Sequence, residues 1–130
     1  MRFRTSAVIG AIGSLLILSA AAYAQPGRWT EVNRNDEVAQ SIDRQSIART
    51  GNKVRIWQRN VYSAPEDDIA SSLFLNEYDC TARTFALAAW ADEDAEGTRM
   101  GSGTISREEM EIYPVLPDSF AETIFEIVCE

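Results

Sequence analysis

The clearest alternation in this chain runs from Lys53 to Tyr62. Val54, Ile56, Gln58, Asn60 and Tyr62 fall on one side of an extended segment, and Arg55, Trp57, Arg59 and Val61 on the other. A period of two predicts a strand, and the Gly51-Asn52 turn signal opens it. Weaker strands are expected at Arg28–Val32 and Val38–Ile42, with one helical turn within Asp43–Ala48. Pro65-Glu66-Asp67-Asp68 reads as a loop. Residues 70–80 and 83–91, rich in Phe, Leu, Tyr and Trp, read as two more strands, with Phe74, Tyr78 and Cys80 on one face of the first. Asp92–Gly97 suits a hairpin loop, and Thr98–Ile105 and Glu111–Leu116 are further, less patterned strands.

The period changes after Pro117-Asp118. Ser119-Phe120-Ala121-Glu122 has the form of a capping box, in which the serine oxygen accepts the backbone N–H three residues on. Phe120, Ile124, Ile127 and Val128 then recur at helical spacing and form an apolar stripe that needs a surface to bury it. Many strands and one terminal helix give an α+β fold, with the C-terminal α-helix packed across one face of a single sheet.

The first 24 residues have a different character. Arg2 and Arg4 precede an apolar run from Ala7 to Ala22, and Ala22-Tyr23-Ala24 follows. This is the layout of a secretory signal peptide, so cleavage is expected near Ala24, leaving residues 25–130 as one domain, periplasmic or secreted. No cysteine stands at the expected cleavage point, so no lipid anchor is expected. The chain has only two cysteines, Cys80 and Cys129, and an oxidising compartment would join them. Closing a loop of roughly 50 residues is worth about 4 kcal/mol in the chain-entropy treatment.

Charge narrows the functional classes. Residues 1–24 hold two of the twelve basic residues and none of the twenty acids, so residues 25–130 carry 10 − 20 = −10. That excess disfavours nucleic acid and anionic membrane surfaces. No second apolar run is long enough to span a membrane. With no histidine, the commonest general base and metal ligand is missing, and the single lysine, Lys53, sits beside a turn, where solvent keeps it charged. No cofactor is implied.

Three groups of residues invite a functional reading. Asp92-Glu93-Asp94-Ala95-Glu96-Gly97 resembles the first half of a calcium loop, but Gly103 stands where the bidentate glutamate belongs, which leaves a solvated acidic hairpin tip as the simpler reading. Glu77 and Asp79 share a strand face and have the form of a general acid/base pair, although so small a domain leaves little room for a cleft. Arg55, Trp57 and Arg59 line one face of the best strand. They form either a partner-binding surface of indole and guanidinium groups or, as the more ordinary outcome, a tryptophan packed on a neighbouring strand beneath arginine stems.

Several short runs also resemble a known family. Tyr78-Asp79-Cys80, the strand Val54–Trp57, the ending Val115-Leu116-Pro117-Asp118-Ser119 with its helix and Cys129, and Ser41-Ile42-Asp43 with Ser46-Ile47 before the turn are similar to the bacterial surface-adhesin protein E family. The resemblance implies an antiparallel sheet and a C-terminal helix, with a disulfide tying that helix to a central strand. It also implies a non-enzymatic, surface-exposed binder of host matrix proteins. The family usually has a tryptophan shortly before the Pro-x-Ser helix start, where this chain has Ile112 and Tyr113. The leading expectation is therefore an exported, non-catalytic module for a protein partner. The alternatives are a small periplasmic carboxylate-dependent hydrolase and an envelope structural or inhibitor protein.

Overall fold

The computed structural model describes residues 27–130; the expected signal peptide lies outside them. Eight strands form one antiparallel sheet: β1 (Thr30–Arg34), β2 (Val38–Ile42), β3 (Ala48–Thr50), β4 (Lys53–Glu66), β5 (Ile69–Asp79), β6 (Thr84–Glu93), β7 (Arg99–Thr104) and β8 (Tyr113–Pro114). The order is β1-β2-β4-β5-β6-β7, with β3 continuing the β2 side of β4 and β8 continuing the β7 side of β6. One helix, α1 (Phe120–Val128), closes the chain.

Alternation places the core on one face. Val54 and Ile56 of β4 point to the same side as Ile42 of β2 and Tyr78 of β5, and α1 covers them with Ile124, Phe125 and Val128. The helical stripe is rotated from its expected position: Phe125 is buried, whereas Phe120 and Ile127 are only half-buried. Tyr78 sets that rotation, because its ring lies 6.5 Å from that of Phe125 and 5.8 Å from that of Phe85. Beyond the apolar patch the same face turns polar. Tyr78 Oη and Asn76 Nδ2 both donate to Gln58 Oε1, at 2.8 and 2.9 Å. Gln40 donates to Asn60 Oδ1 at 3.0 Å, so the buried amides are satisfied side chain to side chain.

Both ends of α1 are fixed. Ser119 Oγ accepts the Glu122 N–H at 3.2 Å, and Glu122 Oε1 accepts the Asp118 N–H at 3.2 Å. At the other end the Arg49 guanidinium of β3 donates to the Val128 carbonyl, placing a cation at the negative end of the helix. Cys129 caps the helix and is bonded to Cys80. Cys80 stands one residue past β5, in the turn to β6, so the covalent tie runs from that turn and not from the strand itself.

Two further expectations need correction, and one strand is additional. The Pro65–Asp68 loop is absent: β4 runs on to Glu66, and the reversal takes only Asp67 and Asp68, both with positive φ (51° and 64°). Two such residues make the tight turn that matches strand twist, and aspartate tolerates that conformation better than most residues. Pro65 is accommodated because pairing with β5 is irregular between Val61 and Glu66, and β2 ends opposite Tyr62. The helical turn expected within Asp43–Ala48 is present as a short 3-10 turn (Arg44–Ser46) capped by Asp43, but Ala48 already opens the additional strand β3. Of Glu111–Leu116 only Tyr113–Pro114 pairs.

The sheet curls. Its register slips in β1, β6 and β7, where Val32, Ala88 and Met100 are the extra residues, and such bulges bend a strand and increase its twist. The helix-free face is the concave one, since residues preceding β1 and residues of β7 line the same cavity.

Candidate functional site

The concave face is built from the other half of each alternation. Trp57 and Arg59 of β4 stand beside Leu75 and Leu73 of β5, with Ala89 and Ala91 of β6 next across the sheet. Alanine at position 91 leaves room above the sheet, and the cavity there measures about 780 Å³. Its floor is Trp57, Leu73 and Ala91; its rim carries Arg28, Arg59 and Arg99 on one hand and Glu93 and Glu96 on the other.

Each rim cation has a different status. Arg28 Nε donates to Asp43 Oδ2 at 2.9 Å, which pins the segment before β1, and the guanidinium lies 5.6 Å from the Trp29 ring. Arg99 stands 4.0 Å from Glu93, at the outer limit of an ion pair. Among the described residues Arg59 has no ion-pair partner, although Trp57 beside it on the strand is half-buried. A cavity holding a partly exposed indole and an uncommitted guanidinium has the side chains that dominate protein interfaces.

Arg55 goes elsewhere. Cross-strand register sets it opposite Glu77, and its Nε donates to Glu77 Oε2 at 2.8 Å. Arg107, from a short 3-10 turn after β7, clasps both oxygens of the same carboxylate at 3.0 and 3.1 Å, and Lys53 Nζ stands 3.6 Å away. The Arg107 hydrogen bonds, followed by those from Arg55, outweigh burial and hold the Glu77 pKa at about 2. A carboxylate so firmly ionised has no proton to give at neutral pH. Asp79, its expected partner in acid/base work, accepts the Thr81 and Ala82 N–H groups at the turn. Both carboxylates are thus held by donors of the fold itself.

The acidic tip is likewise divided among local tasks. Asp92 Oδ1 accepts the Ser72 hydroxyl, Asp94 Oδ1 accepts the Glu96 and Thr98 N–H groups, and Glu93 faces Arg99. Among the described residues no group of three or more acidic side chains converges as a metal site would require.

The structure thus brings Trp57 and Arg59 together in one cavity and separates Arg55 from them. Arg28, Trp29 and Leu73 were missed in the sequence. Leu73 was legible from the β5 alternation, whereas the return of Arg28-Trp29 over β4 depends on sheet curl, which leaves no local signature. Arg107 was equally hidden, since 30 residues separate it from Glu77.

The chain is similar in fold to structures of protein E from Haemophilus influenzae. One matches at 15% identity with a TM-score of 0.57, over 79% of this chain and 84% of that one. A second crystal form matches at 14% identity and 0.56, over 79% and 87%. Protein E from a non-typeable strain matches at 15% and 0.54, over 79% and 76%. No curated protein sequence matches at a significant level. The family profile described as surface-adhesin protein E matches residues 29–130, nearly all of the described chain. The protein belongs to the surface-adhesin protein E family.

Proposed function

We propose that this protein is an exported, non-catalytic binding module whose concave sheet face engages a protein partner, in the manner of an adhesin toward extracellular or host matrix proteins. The carrying observation is the cavity over Trp57, Arg59 and Leu73 on the face that α1 leaves uncovered. An aromatic and an arginine in a concave, apolar-floored site supply contact area and directional donors for a partner surface. Family membership supports the same reading, as do the signal-like residues 1–24 and the single disulfide, which suit a protein that works outside the reducing cytoplasm. Among the described residues no helix is long and apolar enough to cross a membrane.

The test is a pull-down with the exported protein against envelope extract and against purified matrix proteins, with Trp57→Ala as the paired control. Retention of a defined protein by the wild type and its loss with the variant supports the proposal. Equal retention by both rejects this face as the binding surface.

A further inference from the structure

The concave face holds a second, smaller cavity of about 340 Å³ at its Glu77 end, and the charge there is out of balance. Lys53, Arg55 and Arg107 converge on the one carboxylate of Glu77. One cation would neutralise it; three, set against Glu77 and against Glu108 beside Arg107, still leave the cluster one positive charge in excess, in a chain whose residues 25–130 hold only ten cations against twenty acids. The next acid on this face, Asp79, is turned to backbone N–H groups. Donors also remain. Arg55 uses its Nε on Glu77, leaving its terminal nitrogens without a partner among the described residues, and Lys53 at 3.6 Å is beyond hydrogen-bond reach. All three cations are well exposed, so these donors open onto the cavity.

We infer that this cavity receives a carboxylate from an extended segment of the protein partner, a reading that rests on the binding function proposed above. Two observations decide for a protein segment over a polyanionic chain. First, Arg55 and Trp57 share a face two residues apart, about 7 Å, which is the spacing of alternate side chains in an extended peptide. An acid over Arg55 then sets an apolar side chain two residues on over Trp57 and its apolar floor. Second, the larger cavity mixes Arg28, Arg59 and Arg99 with Glu93 and Glu96, so a uniformly sulfated chain laid along the face would meet carboxylates among the cations there, whereas a segment with a single acid need not. A peptide with one acid and one apolar anchor matches both ends.

The exported protein, disulfide intact, is titrated by NMR with two acetylated and amidated pentapeptides, Ser-Asp-Gly-Leu-Ser and its Asn counterpart, and with a fully sulfated heparin hexasaccharide. The expected result is a shift of the Trp57 indole resonance, with the Asp peptide binding at least about fivefold tighter than the Asn peptide, as suits one charge-assisted contact. Lys53→Gln, which removes no hydrogen bond from the fold, should cut that ratio to about one half or less, and Arg107→Gln should do the same. Equal binding of the two peptides, a ratio indifferent to both variants, or hexasaccharide binding at these residues without peptide discrimination would overturn the inference. If Trp57→Ala abolishes partner capture while the peptides bind equally, the carboxylate site is rejected and the binding function stands. A Lys53-dependent ratio with capture indifferent to Trp57 supports the carboxylate site and rejects Trp57 as the capture surface.

Discussion

Replacing Glu77 with glutamine tests the charge cluster at the base of the concave face. The carboxylate is only 7% exposed, and its three cations are 39–59% exposed. A pKa lowered from 4.5 to about 2 corresponds to about 3 kcal/mol in favour of the folded state at pH values above both. Solvent around the cations screens the pair, so about 1–2 kcal/mol is the realistic share. The folded pKa is depressed, so this stabilisation is fully present above about pH 4.5 and is lost as pH falls toward 2. Glu77→Gln keeps the shape and one acceptor oxygen but has no such titration. Urea unfolding of both proteins, followed by tryptophan fluorescence between pH 7 and pH 2.5, should show the wild type ahead by about 1–2 kcal/mol at pH 7 and the gap closing across pH 4.5 to 2.5. Other acids titrate alike in both proteins and cancel in the difference. A gap of the same size at pH 7 and pH 2.5, or a variant more stable at pH 7, would refute the reasoning.

Other expectations concern the frame that holds the face. Intact mass of the exported protein should be two hydrogens lighter than after reduction, and reduction should cost about 4 kcal/mol in unfolding free energy for a loop closed across 49 residues. Ser119→Ala removes the acceptor of the Glu122 N–H and should lower stability by about 1 kcal/mol, read as a shifted urea midpoint with unchanged slope. At Gly103 an added Cβ would lie 2.8 Å from Trp90 Nε1, and a flat indole packed on β7 has no flexible end to yield. Gly103→Ala should therefore cost about 1–3 kcal/mol by thermal melt, whereas alanine at Gly101, 3.6 Å from the same ring, should be tolerated far better.

Local pattern carried the elements whose fate is decided locally. The β4 alternation put Val54 and Ile56 inward and Arg55, Trp57 and Arg59 outward, and Ser119 with Glu122 marked the start of α1. Features set by distant neighbours were not legible. Phe125 is buried because it packs on Tyr78, itself stacked on Phe85, which the spacing within the helix does not record. Pro65 reads as a break, yet it sits in β4 because β2 ends before it. Alternation alone put Trp57 and Arg59 on one sheet face, and the structure places both in one cavity. The cavity around them depends on bulges at Val32, Ala88 and Met100, each one unpaired residue in an ordinary-looking strand. Arg55 was grouped with its strand neighbours, but Glu77 and Arg107, both remote in sequence, determine its role.

The concave face is a binding surface only if Trp57 serves a partner more than it serves the fold, and one variant separates the two. Trp57 is half-buried with Leu75 opposite it, so Trp57→Ala should cost about 1–2 kcal/mol, short of the 3–5 kcal/mol expected for a fully buried aromatic. For a domain of this size that is a fall of roughly 5–15 °C in Tm. Affinity for a captured protein partner, measured by titration at a temperature where both proteins are folded, should drop about thirtyfold, equivalent to about 2 kcal/mol. Unchanged affinity in the folded variant, or a variant that fails to fold at all, would contradict the assignment of this face.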